Sequence, residues 1–177
     1  MIGLYRAILS VDDFKPIGYM IIEYKMLTKK ELNIFINMRI NQLREEGAKE
    51  EIDLVPALKD YYTRHMADGT FVSWLALDGK NIIGTSGMSF VEKSPYFGCP
   101  NGKIGLLSSM FTESQYRRKG IAKELLSRVV NEAREYGCGV IQIEAGIRQI
   151  FGRKGEDIVN MNLKALKAGY DLAQSLR

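Results

Sequence analysis

The chain has 177 residues, enough for one domain with a sizeable core. Hydrophobic residues make up 46% and charged ones 26%, a balance that excludes a disordered or low-complexity chain. The net charge of +4 suits an anionic ligand but is too small for the footprint of a nucleic-acid binder.

Other classes fall away as quickly. Two cysteines, Cys99 and Cys138, are too few for a disulfide scaffold and read as free thiols in a reducing cytoplasm. No apolar run approaches the roughly 18 residues that would span a membrane. The N-terminus lacks the basic-then-apolar pattern of a secretory signal. We find no internal repeat, so residues 1–177 read as one domain. One histidine and two distant cysteines make no usual zinc set, and the phosphate loop of nucleotide hydrolases is absent.

In chain order, residues 1–18 read as an arm, within which Leu4–Val11 is open to a short strand. Met20–Met26 reads as a first strand, with Ile22, Tyr24 and Met26 on one face. Thr28-Lys29-Lys30-Glu31 forms a capping box, in which Thr28 accepts from the Glu31 N–H and the Glu31 carboxylate reaches back. A helix follows with Leu32, Phe35, Ile36, Ile40 and Leu43 at helical spacing, ending near Gly47. A second helix is predicted from about Asp53 to Ala67. Pro56 sits in its first turn, Leu58, Tyr61, Tyr62 and His65 recur along it, and Gly69 stops it.

Phe71–Leu77 reads as a buried strand, Asp78-Gly79-Lys80-Asn81 as a hairpin turn and Ile82–Val91 as the return strand. Gly84 and Gly87 within it imply a bend or a close packing partner. Glu92–Lys103 is a loop rich in turn formers that carries Tyr96, Phe97 and Cys99. Ile104–Phe111 is an almost continuous apolar strand, and Gln115–Gly120 a basic glycine turn. A helix runs from Ile121 to about Tyr136 with Ile121, Leu125, Leu126, Val129, Val130 and Ala133 on one face. Gly137 ends it, and Val140–Glu144 is the next strand.

The junction from Ile104 to Leu126 organises the rest. The first turn of a helix leaves backbone N–H groups without partners, and they carry partial positive charge. Gly120 has no Cβ, Ala122 is small, and Arg117, Arg118, Lys119 and Lys123 add cations. That combination suits a diphosphate. The bland alternative is a strand-to-helix connection with a solvated basic turn.

Arg117-Arg118-Lys119-Gly120-Ile121-Ala122 resembles the Gln/Arg-x-x-Gly-x-Gly/Ala signature of the GCN5-related N-acetyltransferases (GNAT), and the order of elements over roughly residues 20–145 is similar to theirs. The resemblance implies an α/β (α+β) fold with a mixed, mostly antiparallel central sheet flanked by helices. It also implies acetyl-CoA as co-substrate, no metal, and an amine acceptor on a small molecule or peptide. Arg117, Arg118, Lys119, Gly120, Ile121 and Ala122 would then hold the diphosphate. Ser109, Met110 and Phe111 would line the pantetheine arm where the flanking strands splay, with an N–H of Met110 or a neighbour stabilising the oxyanion.

The C-terminus departs from the pattern. Two registers are open: one placing Phe151 where relatives carry a tyrosine acid, the other a helix from about Asp157 to Lys167 with Ala165 in that slot and Gly169-Tyr170 after it. The helical recurrence of Val159, Leu163, Leu166 and Tyr170 favours the second. Neither supplies a hydroxyl there, and the short terminus is compatible with completion by a partner subunit, as in a homodimer. Glu144, Glu113 and Glu92 are the candidate bases, each equally readable as a solvated glutamate. Tyr96 could reach the substrate from its loop. His65 reads as a packed helix residue, and neither cysteine has a histidine at a spacing that supports a nucleophile. Tyr61, Tyr62, Tyr96 and Phe97 hint at a ring-containing acceptor. Two functional readings follow: direct acetyl transfer to an amine, or a CoA-binding regulatory module without turnover.

Overall fold

The structure is a computed structural model; it describes residues 21–142 together with Asp157, Asn160, Met161 and Lys164. Five strands form one sheet: β1 (Ile22–Met26), β2 (Phe71–Asp78), β3 (Asn81–Glu92), β4 (Lys103–Thr112) and β5 (Val140–Gln142). They lie side by side in chain order, the first four antiparallel and β5 parallel to β4. Among the described residues, three helices cover the sheet: α1 (Leu32–Glu45), α2 (Val55–Ala67) and α3 (Ile121–Glu135). The mixed, mostly antiparallel sheet flanked by helices is therefore as expected, and no described helix is long and apolar enough to cross a membrane.

Strand β2 shows why the layers form. Its residues alternate between faces, as strand geometry requires. Phe71, Leu75 and Leu77 pack with Leu32, Phe35 and Ile36 of α1 and Tyr62 of α2. Ala76, Trp74 and Val72 turn the other way, into clusters built with Ile121, Leu125, Val129 and Ala133 of α3. A strand buried on both faces has no polar side to show, hence its near-continuous apolar run.

The two glycines of β3 are close-packing sites. A Cβ at Gly87 would sit 2.9 Å from the Phe71 ring, and one at Gly84 would sit 3.2 Å from Leu125 Cδ1. Asp78 and Asn81 pair across the hairpin, with Gly79 at φ 58.

Half of the capping box at the start of α1 is as predicted. The Glu31 carboxylate does reach back, accepting from the Thr28 N–H at 3.2 Å and from its hydroxyl at 2.5 Å. The Glu31 N–H, however, bonds the Thr28 carbonyl, and the Thr28 hydroxyl oxygen accepts from Lys30 instead. The turn before α1 has closed one bond earlier, so the hydroxyl meets the preceding amide. Ahead of α2, whose N-cap is Leu54, the Asp53 Oδ1 accepts from the Val55 N–H at 3.0 Å.

Of the C-terminal registers, Asp157, Asn160, Met161 and Lys164 are helical and exposed. The expectations for Phe151, Ala165 and Gly169-Tyr170, and for the arm of residues 1–18, lie outside the described residues.

Candidate active site

Strand β4 leads directly into the basic turn. After Thr112 the chain is held by a bond from the Glu113 N–H to Ile83 O at 2.9 Å, makes a short 3-10 turn over Ser114–Tyr116, and extends at Arg117. Arg118 and Gly120 then take left-handed conformations, at φ 63 and 82, and α3 begins at Ile121. The first helical bond is from the Glu124 N–H to Gly120 O. The amides of Ile121, Ala122 and Lys123 precede it and have no side-chain cap. Together they face a cavity of about 200 Å³ whose lining includes Thr112, Arg118, Gly120, Ala122 and Lys123. A Cβ at Gly120 would meet no protein atom within 4 Å. Open donors, an open approach and flanking cations fit a diphosphate.

The cations are not equivalent, although they stand side by side in sequence. Arg117 is committed to the protein: its Nε donates to Thr112 O at 2.8 Å, its Nη2 to Glu45 on α1 at 2.5 Å, and its guanidinium lies over the Phe111 ring. Lys119 sits over the Tyr116 ring, whose hydroxyl donates to Asp78 at 2.8 Å. Arg118 and Lys123 have no ion pair among the described residues. Arg117 thus clips the turn to α1 while lining the cavity, and Arg118 and Lys123 line it without an ion pair among the described residues.

Upstream of the turn, β4 carries an irregularity that its composition does not announce. The pairs Thr85↔Phe111 and Gly87↔Ser108 enclose one residue on β3 and two, Ser109 and Met110, on β4. This is a β-bulge, which leaves one backbone position of β4 without its ladder partner. Ser109 takes φ 51, and its hydroxyl meets that of Tyr62 at 3.1 Å. On the other edge, β4 pairs with β5 only from Ile104 to Leu106 within the described residues. Ser109, Met110 and Phe111 therefore lie on the strand that leads into the basic turn, as the sequence led us to expect.

The acid–base candidates are spread out. Glu113 stands at the mouth of the turn, its carboxylate accepting from Gln115 at 3.2 Å. Glu144 lies outside the described residues. Tyr96 and Glu92 sit at the opposite end of β4, by the β3–β4 loop. The strand from Lys103 to Ser109 separates them from the bulge by about 20 Å at the usual rise per residue. Tyr96 is half exposed, tied into a tight turn with Cys99. His65 packs against Tyr61 with the rings tilted by 40° and meets the Thr70 hydroxyl at 2.6 Å, a packed residue. The Cys99 thiol is buried against Asn101 and the Lys103 carbonyl, and burial raises the Cys138 thiol's pKa above its ordinary value. No group of three or more His, Cys, Asp or Glu side chains among the described residues could hold a metal. The residue that sequence reasoning missed is Tyr62 as a partner of Ser109. Its only signal was its place on the inward face of α2.

A bulged central strand that runs into an open glycine turn, with a parallel strand at its flank, defines the acyl-CoA N-acyltransferase fold. The sequence profile of the acetyltransferase (GNAT) family matches residues 36–149, and the chain belongs to that family. Among solved structures, it is similar to a Clostridium acetobutylicum protein described as a predicted acetyltransferase and solved with acetyl-CoA. The two share 29% identity and a TM-score of 0.67 over 76% of this chain and 89% of that one. A GCN5-related N-acetyltransferase from Ralstonia eutropha JMP134 shares the fold at 21% identity and a TM-score of 0.65, over 76% and 91% of the two chains. So does an aminoglycoside N-acetyltransferase in complex with CoA, at 19% and 0.55, over 75% and 85%. No curated protein matches the sequence.

Proposed function

We propose that this single-domain protein transfers the acetyl group of acetyl-CoA by direct attack of a primary amine, on a small molecule or a peptide. The observation that carries the reading is the uncapped, left-handed entry to α3 at Gly120, opening on a cavity at the end of a bulged strand. The amides of residues 118–122, with Arg118, Lys119 and Lys123, would grip the diphosphate of CoA, and Ser109, Met110 and Phe111 would face its pantetheine arm. The neutral amine nitrogen attacks the thioester carbon, charge builds on the carbonyl oxygen, and the carbon–sulfur bond breaks to release the CoA thiolate, which takes a proton from water to leave as the thiol. An N–H at the bulge is aimed to stabilise that oxygen. The proton lost by the amine passes to a carboxylate or to water, with Glu144 or Glu113 as the carboxylate.

The acceptor would approach from the α1 side. A cavity of about 640 Å³ opens between the end of α1 and the start of α2, lined by Ile40, Leu43, Ile52 and Leu54 and by the Arg44–Glu50 pair. The Arg117–Glu45 clip connects that helix to the diphosphate turn. Mixing the protein with acetyl-CoA and a panel of alkyl, aromatic and peptide amines, while following free thiol and product mass, tests the reading. We expect thiol release and an acetylated amine in equal amounts. Tight CoA binding without release on any amine would instead identify a binding module. Size measurement in solution would show whether the chain acts as a homodimer.

A further inference from the structure

Two hydroxyl-bearing residues without a part in the acetyl-transfer reading, Thr85 and Tyr62, meet Ser109, and their role rests on that reading. Ser109 is the bulge residue of β4, 1% exposed, in a backbone region that L residues other than glycine seldom occupy. Two side chains from different elements hold it. The Thr85 hydroxyl on β3 donates to the Ser109 carbonyl at 2.8 Å. The Tyr62 hydroxyl on α2 meets the Ser109 hydroxyl at 3.1 Å. Tyr62 cannot swing away easily, because its ring is packed edge-on to Phe35 at 4.9 Å and against Phe71 at 4.7 Å, and only 4% of it is exposed.

The consequence follows from the geometry of a peptide unit. The Ser109 carbonyl and the Met110 N–H belong to one planar, trans peptide group and point in opposite directions. Holding the carbonyl on Thr85 of β3 turns the Met110 N–H away from β3. It then faces the other edge of β4, beyond the Leu106↔Gln142 pair where the described pairing with β5 stops. In a regular strand, β3's backbone would satisfy this peptide. Here a side-chain hydroxyl holds the carbonyl, and the amide opposite points to the edge on which β5 lies.

We infer that Thr85 and Tyr62 are positioning residues of the acetyl-transfer site: they lock Ser109 in its left-handed bulge and so aim the Met110 N–H at the thioester oxygen. Neither touches the reacting atoms. Their effect is read through the polarisation of the carbonyl that the amide would contact, which a purely structural role would leave alone.

The test uses the full chain with acetyl-CoA isotope-labelled at the acetyl carbonyl carbon, and isotope-edited infrared spectroscopy of the bound thioester. In the native protein we expect the carbonyl stretch to move to lower frequency than in free acetyl-CoA. Thr85→Val, which keeps the shape and removes the hydroxyl, should lose most of that downshift. Thr85→Ser should keep it, and Tyr62→Phe should lose part. Affinity for CoA lacking the acetyl group should stay within about threefold in all three, because the diphosphate turn is untouched. An undiminished downshift in folded Thr85→Val and Tyr62→Phe overturns the inference while leaving acetyl-CoA binding intact. If Thr85→Val does not fold, Tyr62→Phe decides alone. Failure of the native protein to bind acetyl-CoA would overturn the functional reading itself, and this inference with it.

Discussion

Gly120 is where a single atom matters most. Its φ of 82 and the empty space around a would-be Cβ mean that a side chain there meets ligand, not protein. Gly120→Asp should therefore weaken CoA binding on the order of tenfold or more, by placing a carboxylate where phosphate oxygens belong. Left-handed strain of about 1 kcal/mol should leave the fold intact. Calorimetry with CoA, alongside circular dichroism, checks both halves, and unchanged affinity would remove the assignment. Arg117→Ala should cost less, within about threefold, because the guanidinium is spent on Thr112 and Glu45. An equal loss in the two variants would mean that the guanidinium reaches the ligand after all. Tyr62 predicts a pH dependence. Burial pushes its hydroxyl's pKa above the ordinary tyrosine value, outweighing the bond from Ser109 that lowers it. The folded state then keeps a proton that the unfolded chain surrenders from about pH 10 upward. Stability from this group is complete below that pH and declines as pH rises through the folded value. Thermal melts across the alkaline range should show a decline that Tyr62→Phe reduces; an identical decline in the variant would contradict the account.

Among the elements, α3 does two tasks at once. Its buried face, Ile121, Leu125, Val129 and Ala133, anchors it to β2 and β3, and its first turn presents the open amides. Leu125 lies fully buried beneath Gly84. Leu125→Ala should cost about 3 kcal/mol, the transfer term plus a cavity the backbone cannot close. Urea denaturation would measure it, and a loss under about 1 kcal/mol would mean that the helix rests elsewhere. This helix was legible because its evidence is local: apolar residues at helical intervals, a glycine before and a glycine after. The bulge in β4 was not. Serines 108 and 109 are unremarkable in an apolar strand, and the extra residue shows only when β3 is laid against it. The capping box was half legible for a related reason, since the residue types specify the partners but the turn decides which amide arrives.

For the molecule as a whole, the site depends on α1, α2, β3, β4 and α3 meeting at one strand, so ligand binding should be felt globally. Free CoA at about 100 times its Kd adds ~2.7 kcal/mol to a protein that binds it only when folded. For a chain of this size that raises the melting temperature by roughly 5–10 °C. Thermal scans with and without CoA provide the measurement, and no shift at saturating ligand would contradict the diphosphate site. Tyr96 belongs at this scale too. Its loop reads as a contributor to an acceptor site, yet β4 runs its full length between that loop and the basic turn. Only the direction of the strand shows which end of the sheet a loop occupies.

The order of strands and helices, the covered faces and the open turn at residues 117–122 were all written in the chain. Each follows from interactions between near neighbours: periodic burial, the missing Cβ of glycine, the unpartnered amides of a first helical turn. Meetings at a distance came from packing. Tyr62 finds Ser109 across 47 positions, and Arg117 finds Glu45 across 72. No spacing rule reaches that far, because such contacts exist only once the sheet has brought the helices over it.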